Sequence, residues 1–174
     1  MIQHSEALGE KKWHILCTKP RKENVVFDEL KNRGAEAKLF VKTTSVYTSK
    51  GIRNVNKPLI SGYLFLKISA QEIGNYQYIM GVTKFLKCSQ KYEYLREEDI
   101  QLLEKLCDHD YEVSICDKLS VGTKIEITEG VLKGVQGIIK TNVKGAQIHI
   151  ESSLQSISIV LKKEALAYKI IENL

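Results

Sequence analysis

The change of residue pattern near Gly122 is the feature that most constrains the fold of this chain. From there on, alternating or aliphatic runs recur at intervals of roughly ten residues, which is typical of consecutive short β-strands. The predicted strands are residues 124–128, 138–139, 147–150, 157–161 and 165–170. Five short strands in so little chain favour a small closed or nearly closed β-barrel, because closure leaves no unpaired sheet edge.

The part of the chain before residue 108 alternates strands with helices. Pro20 suits the first turn of a helix and Gly34 suits its end, which predicts a helix over residues 20–33. The other predicted elements are helices at 71–80 and 97–107, strands at 12–17, 39–41, 44–48, 63–68 and 82–88, and a polar basic loop at 49–57. This order predicts an α+β sandwich with a small, mostly antiparallel sheet. Residues 108–120 show no period and are interpreted as a linker.

Basic residues are concentrated in one segment of the sequence. The 174-residue chain carries a net charge of +5, but residues 11–57 alone hold twelve Lys and Arg and four acids, or +8. A one-sided basic segment is what a phosphate-backbone partner requires, since each base near a phosphate releases counterions. Charge alone leaves two interpretations open, namely contact with nucleic acid and a solvated basic face without a partner.

The remaining composition is that of a globular protein. Hydrophobic residues make up 43% and charged residues 27% of the chain, and no apolar run reaches the roughly 20 residues that a membrane-spanning helix needs. The N-terminus shows no secretory signal, and the four cysteines form no C-x-x-C pair. We therefore expect reduced thiols, no contact with a membrane and a cytoplasmic location.

Catalytic chemistry is difficult to assemble from this sequence. His14 and His149 lie in predicted strands, where a histidine usually occupies one face of a sheet. Cys107, His109 and Cys116 lack the paired spacing of a structural zinc site. No phosphate-binding glycine motif precedes a helix. We therefore expect a binding protein with no catalytic residue, no metal and no cofactor, rather than an enzyme.

The strand predicted over residues 63–68 is apolar on both faces. Tyr63 and Phe65 are two residues apart and share one face, whereas Leu64 and Leu66 share the other. One face can pack on the helices, and the second needs a cover or a partner, because large exposed apolar patches usually mark interaction sites. The sequence leaves open whether the linker or the second domain provides that cover.

Several motifs, taken in order, resemble one protein family. They are the strand at 13–17 followed by Lys19, the helix end Arg33-Gly34, Pro58, the run Gly62-Tyr63-Leu64-Phe65-Leu66, the run Gly81-Val82-Thr83-Lys84-Phe85, and residues 122–130 with Gly134 and Gly137. In this order and spacing the chain resembles the NusG family of transcription elongation factors from about residue 11 to residue 171. The resemblance implies a flexible tail at 1–10, an NGN α/β sandwich at 11–107, a linker at 108–119 and a five-stranded SH3-like KOW β-barrel at 120–174.

The resemblance also implies two binding surfaces in the NGN domain. Its apolar face is expected to bind the clamp helices of the RNA polymerase β′ subunit and to favour processive elongation. The matching positions are Cys17, Ile60, Tyr63 and Phe65, with Phe85 in support. A basic rim at Lys19, Arg21 and Arg33 matches the side that lies near upstream DNA and the displaced non-template strand, in agreement with the +8 segment.

Departures from the common family pattern favour a specialised member. Ile60-Ser61-Gly62 stands where the family often has Phe-Pro-Gly, and Val131 follows Gly130 where proline is common. Ile-Thr-Glu-Gly at 127–130, together with Gln136, resembles specialised members such as RfaH. The short chain and the weakly matched linker resemble the UpxY-type antiterminators of capsular polysaccharide operons. An operon-restricted antiterminator is therefore favoured over a general housekeeping NusG factor. A ribosome-associated KOW module that binds RNA is a further alternative, disfavoured by the charge of only +1 over residues 111–174.

The KOW domain of the family contacts either termination factor Rho or the ribosomal protein NusE. Leu154, between Ser153 and Gln155, is the matching apolar loop position. Alternating strands after Gly122 favour a barrel over the helical form that some specialised members adopt. The protein is expected to act as a monomer.

Overall fold

The structure, a computed structural model, describes residues 9–88, 90–108, 112–115, 123–142, 145–150, 157–160 and 167–173. The helices are α1 (Glu23–Asn32), α2 (Ile73–Tyr76) and α3 (Glu97–Cys107), with a 3-10 turn at Ala70–Glu72. The strands are β1 (Lys12–Thr18), β2 (Ala37–Lys38), β3 (Val41–Thr48), β4 (Gly51–Pro58), β5 (Tyr63–Ile68), β6 (Val82–Phe85), β7 (Lys87–Cys88), β8 (Lys91–Tyr92), β9 (Tyr94–Leu95), β10 (Glu112–Ile115), β11 (Thr123–Ile127), β12 (Gln136–Asn142), β13 (Gly145–Ile150), β14 (Ile157–Val160) and β15 (Tyr168–Asn173).

The chain forms two compact units, and each unit is built from two separate segments of the sequence. The first unit contains Met1–Leu39 and Ser61–Arg96, and the second contains Phe40–Ile60 and Glu97–Leu174. The boundaries predicted for the two domains, 11–107 and 120–174, remain a prediction.

An antiparallel sheet forms the centre of the first unit. Its strand order is β2-β5-β1-β6, and β9 also pairs with β1. The long pair is β1 with β5, in which Ile15 lies opposite Phe65 and Leu16 lies opposite Leu64. Because neighbouring residues of a strand point to opposite faces, this register divides the sheet into a helix face and an opposite face. The prediction of an α+β fold with a small antiparallel sheet is confirmed.

The helix face carries the core of the first unit. Leu16, Leu64 and Leu66 are fully buried there and cluster with Val26 and Leu30 of α1. Val26 and Leu30 are four residues apart, so they lie on one side of α1 and both point to the sheet. Full burial of each such side chain contributes about 1.5–3 kcal/mol to the stability of the unit.

Helix α1 is shorter than the sequence predicts. It begins at Glu23 instead of Pro20, since residues 19–22 form a turn in which the Lys22 N–H donates to the Lys19 carbonyl over 3.1 Å. Arg21 in that turn has φ +63°, which excludes a helical conformation there. The predicted helix at 71–80 is likewise limited to a 3-10 turn and the four residues of α2, and the predicted strand at 82–88 is divided into β6 and β7.

Residues 41–58 form a long β-hairpin, whereas the sequence predicted strands at 39–41 and 44–48 and a loop at 49–57. Strands β3 and β4 pair over eight positions, from Val41 opposite Pro58 to Thr48 opposite Gly51. The strand predicted at 39–41 and the loop predicted at 49–57 are therefore wrong. The strand predicted at 44–48 is confirmed as part of β3. The residues of β4 are exposed or half-buried and lack the apolar alternation by which strands are found in a sequence.

The rest of the second unit contains α3 and a larger sheet. The prediction for α3 is confirmed at both ends, and Ile100, Leu103 and Leu106 form its buried side. The sheet has the order β10-β14-β13-β12-β11-β15, all antiparallel. Its last five members correspond to the five predicted strands, and β10 arises from the segment interpreted as a linker. The closed five-stranded barrel remains a prediction. Among the described residues, no helix is long and apolar enough to span a membrane.

Candidate functional site

Three of the predicted polymerase-binding residues lie together on the opposite face of the first sheet. Cys17 and Tyr63 are register partners on β1 and β5, and Phe65 lies two residues further along β5 opposite Ile15. Tyr63 is half-buried, but Cys17 is only 7% exposed and Phe65 only 1%. Tyr63 is thus the accessible member of this group, whereas Cys17 and Phe65 are buried. We call Cys17, Tyr63 and Phe65 the apolar triad.

Ile60 and Phe85 take different places. Phe85 lies opposite Leu16 and is part of the buried cluster on the helix face, so it supports the sheet from the side away from the apolar triad. Ile60 belongs to the second unit and is 5% exposed. The structure therefore does not bring Ile60 and Phe85 onto the sheet face that carries the apolar triad.

The opposite face becomes basic along the sheet. The Nζ atoms of Lys38 and Lys67 lie 5.6 Å and 5.4 Å from the ring centroid of Trp13. Lys67 also approaches the Glu36 carboxylate at 3.7 Å. Trp13 itself is buried and both lysines are half-buried, and each cation over the ring contributes of the order of 0.5–1 kcal/mol.

The three residues predicted to contact DNA separate into two groups. Lys19 and Arg21 are both exposed in the turn that precedes α1. Arg33 follows the C-terminal end of the ten-residue helix, about 15 Å away at 1.5 Å per residue. The Nε atom of Arg33 donates to the Glu29 carboxylate over 2.6 Å. The turn therefore brings Lys19 and Arg21 together, but Arg33 stands apart with an acidic neighbour.

Two exposed apolar side chains beside this turn were missed by the sequence analysis. Tyr78 and Met80 are each 86% exposed. They precede Gly81, whose carbonyl accepts a 2.8 Å hydrogen bond from the Lys19 N–H. Tyr78 and Met80 were assigned to a predicted helix, in which they would have counted as core candidates. An aromatic side chain next to Lys and Arg residues is typical of sites for single-stranded nucleic acid, in which nucleobases stack on aromatic rings.

Two polar contacts fix the positions of these surfaces. The buried Glu23 carboxylate, in the first turn of α1, accepts a 2.8 Å hydrogen bond from the Gly62 N–H, immediately before Tyr63. The Thr83 hydroxyl donates to the Cys17 carbonyl over 3.0 Å. Sequence reasoning missed both hydrogen bonds, because the two partners of each are distant in the chain. The one local signal was the acidic residue Glu23 at the start of a helix.

His14 has a structural environment. It is 4% exposed, and its Nδ1 lies 3.2 Å from the Glu93 carbonyl, which requires the tautomer that donates from Nδ1. The rings of Phe85, Tyr92 and Tyr94 lie 6.2–6.5 Å from the imidazole in edge-on arrangements. Burial, with a smaller contribution from the Lys12 charge, lowers the pKa of His14, so the neutral imidazole is favoured.

The cysteine and metal positions add no chemistry in the part of the chain that the structure describes. Within it, no group of three or more His, Cys, Asp and Glu side chains could hold a metal ion. Burial, and then the Asp108 charge, raises the pKa of the Cys107 thiol, which disfavours its thiolate. His109, Cys116 and the predicted KOW contact Leu154 lie outside the described residues.

Comparison with known proteins gives one family match. Residues 11–104 match the family model of NusG, described as transcription termination factor nusG. No curated protein matches the chain. A solved structure described as domain interaction in Thermotoga maritima NusG has a TM-score of 0.45 and 16% identity, covering 90% of this chain and 96% of that one. A structure of the MjSpt4:Spt5 complex has a TM-score of 0.32 and 14% identity, covering 92% and 99%.

Proposed function

Because the chain belongs to the NusG family of transcription factors, we propose that it binds RNA polymerase and promotes processive transcription. The observation that carries this proposal is the family match over residues 11–104, a range that contains the apolar triad and the Lys19–Arg21 turn. In this proposal the NGN domain spans 11–107, the linker 108–119 and the KOW barrel 120–174, after a tail at 1–10.

We assign the polymerase contact to the apolar triad, with Ile60, and the contacted element is the β′ clamp helices. Tyr63 is half-buried and supplies the accessible ring, which suits an interface residue because aromatic side chains bury much area at low entropic cost. Phe65, at 1% exposure, contributes directly only when the packing over it opens. Phe85 supports the sheet from the helix face.

We assign the DNA contact to the basic rim that begins at Lys19 and Arg21. Both side chains are exposed, and Tyr78 and Met80 lie on the adjoining segment. This combination supports contact with the displaced non-template strand, in which bases stack on an aromatic ring while cations hold the phosphates. Arg33 adds a weaker contact at the far end of α1, since its charge is partly offset by Glu29.

We further propose a specialised antiterminator of the UpxY or RfaH type, active on particular operons such as those for capsular polysaccharide. The residues that support this choice are Ile60-Ser61-Gly62 and Val131, which depart from the common NusG pattern. A contact of the KOW domain with Rho or NusE through Leu154 completes the proposal. A general elongation factor acts on all operons alike, whereas a specialised antiterminator acts only on operons that carry its DNA element. Transcription measured on templates with and without such an element therefore distinguishes the specialised antiterminator from the general factor.

Affinity capture with purified core RNA polymerase tests the proposal. Tyr63→Ala is expected to weaken binding at least tenfold, because it removes the accessible ring of the apolar triad. Tyr94→Ala is a matched control, since Tyr94 is a 40% exposed tyrosine on the other face of the same sheet. Wild-type protein that fails to bind polymerase would refute the proposed function. Equal affinity of the Tyr63→Ala and wild-type proteins would refute the assigned surface.

A further inference from the structure

The β3–β4 hairpin is a basic ribbon without acids. Residues 41–58 contain Lys42, Lys50, Arg53 and Lys57 and no Asp or Glu, a net charge of +4. Each strand has eight residues, so the ribbon is about 26 Å long at roughly 3.3 Å per residue. A segment with this charge and length is complementary to a polyanion, and its exposure leaves it available for one.

One face of the ribbon is a row of exposed hydrogen-bonding groups. The register places Thr43 opposite Asn56 and Ser45 opposite Asn54. Within each pair the hydroxyl donates to the amide Oδ1 over 2.9 Å. The donor atoms Nδ2 of both asparagines have no partner among the residues that the structure describes. The row therefore presents side-chain amides, held in register by the hydroxyls, to the solvent.

The end of the ribbon combines cations with an apolar cap. Tyr47 and Ile52 lie opposite each other and are 83% and 66% exposed. Lys50 and Arg53 are exposed at the same end and form no ion pair with any described residue. Cations without a carboxylate partner are available to bind phosphate, and they carry no entropic or electrostatic cost of breaking an existing pair.

The other end of the ribbon lies next to an acid. A hollow of about 490 Å³ is lined by residues 41–45 together with Cys107 and Asp108. The Asp108 carboxylate reduces the positive potential at this base of the hairpin. The available positive charge is therefore concentrated toward the turn between β3 and β4, at Lys50 and Arg53.

We propose that the β3–β4 hairpin binds double-stranded DNA as a two-stranded ribbon in the major groove. The groove is about 12 Å wide and admits such a ribbon, with strands about 4.8 Å apart. The amide row faces the base edges, which asparagine recognises through paired hydrogen bonds. Lys50 lies in the turn, and Arg53 lies opposite Val46 on the reverse face of the ribbon, so in this arrangement both bind the phosphates that rise on either side of the groove. Duplex DNA is favoured over a single strand because the exposed row offers one aromatic ring instead of successive stacking platforms.

This inference goes beyond the proposed function, in which DNA meets the chain at the Lys19–Arg21 turn. It also has a different test, because binding of duplex DNA by the full-length protein needs no polymerase. Loss of one activity can therefore be distinguished from loss of the other.

The first experiment measures fluorescence anisotropy of a labelled duplex of about 20 base pairs with the full-length protein over a series of salt concentrations. The test variant combines Lys50→Gln with Arg53→Gln. The control variant combines Lys91→Gln with Lys133→Gln and removes two exposed lysines outside the hairpin. Each lost phosphate contact reduces the slope of log affinity against log salt by about 0.9, so two reduce it by about 1.8. Between about 50 mM and 200 mM salt, the wild type is thus expected to lose roughly 12-fold more affinity than the variant.

A second variant tests the base-edge contacts. Asn54→Ala with Asn56→Ala is expected to weaken duplex binding about fivefold or more with the salt slope unchanged, because these residues touch no phosphate. The same slope change in the Lys91 and Lys133 control would overturn the proposal, as would tighter binding of the single strand than of the duplex. A Lys50 and Arg53 variant that keeps full DNA affinity but loses polymerase affinity would also overturn it, and would identify the hairpin as a protein contact.

Discussion

The hydrogen bond from Gly62 to Glu23 is the contact whose loss has the most definite consequence. The Glu23 side chain is 5% exposed, and its Oε1 accepts from the Gly62 N–H over 2.8 Å. Gly62 has φ +83° in the turn that leads into β5. The carboxylate therefore connects the first turn of α1 to the entry of β5, the strand that carries Tyr63 and Phe65 of the apolar triad. We predict that Glu23→Ala destabilises the first unit.

The magnitude follows from two contributions. A hydrogen bond to a charged acceptor contributes about 1.5–3 kcal/mol, and a carboxylate in the first turn of a helix adds about 0.3–1 kcal/mol. We expect a loss of about 2–4 kcal/mol for Glu23→Ala. Glu23→Gln retains a carbonyl acceptor and loses only the charge, so its expected cost is about 1 kcal/mol. Glu29→Ala is the control, because its ion pair with Arg33 is exposed and contributes about 0.3–0.5 kcal/mol.

Urea denaturation followed by tryptophan fluorescence measures these differences. Trp13 is the only tryptophan of the chain and is buried on β1, so its emission reports the unfolding of the first unit. With a denaturant dependence of about 2 kcal/mol per M, Glu23→Ala is expected to lower the midpoint by about 1–2 M. Equal losses for Glu23→Ala and Glu29→Ala, or for Glu23→Ala and Glu23→Gln, would refute the reasoning.

Three further predictions concern the first unit. Burial lowers the pKa of His14 from 6.5, so as the pH falls the unfolded chain binds a proton at this histidine before the folded chain does. The free energy of unfolding therefore decreases by up to about 1.4 kcal/mol per pH unit between pH 6.5 and the lower pKa of the folded state. His14→Gln should remove this part of the pH dependence in urea titrations. Gly81→Ala is expected to lower the free energy of unfolding by about 1–3 kcal/mol, because φ is +102° and the added Cβ would lie 2.9 Å from a valine methyl. Gly74→Ala is the control and should stabilise slightly in thermal unfolding, because an added Cβ there has no neighbour within 4 Å. Leu30→Ala should lose about 2–5 kcal/mol and Val25→Ala less than about 0.5 kcal/mol by the same assay, because Leu30 is fully buried and Val25 is 51% exposed.

The two proposed binding surfaces differ in how far they were predictable. Tyr63 and Phe65 were placed on one face by strand alternation alone, and the register with β1 confirms that they share it. Their exposure was not predictable, because it depends on side chains distant in sequence that pack over that face. The face that Phe85 occupies was not predictable for the same reason, since only its pairing with Leu16 assigns it to the helix face.

The hairpin shows the limit of pattern reasoning most directly. Strand β4 carries Asn, Arg and Lys where a sheet with one buried face would have aliphatic residues, so residues 49–57 were predicted as a loop although 44–48 were predicted as a strand. Cross-strand hydrogen bonds to the asparagine side chains and eight register pairs define the strands instead. Such pairs become visible only when both strands are in place.

The sequence by itself determined the elements in which apolar residues repeat with a clear period. Strand β5 and helix α3 begin and end at the predicted residues, because alternation in a strand and three-to-four spacing in a helix are set by local backbone geometry. The family membership also followed from motifs in order along the chain. Tertiary structure alone decided that Phe65 is covered, that α1 starts at Glu23 and that residues 51–58 form a strand. These features depend on contacts between residues far apart in the chain, and no local pattern records them.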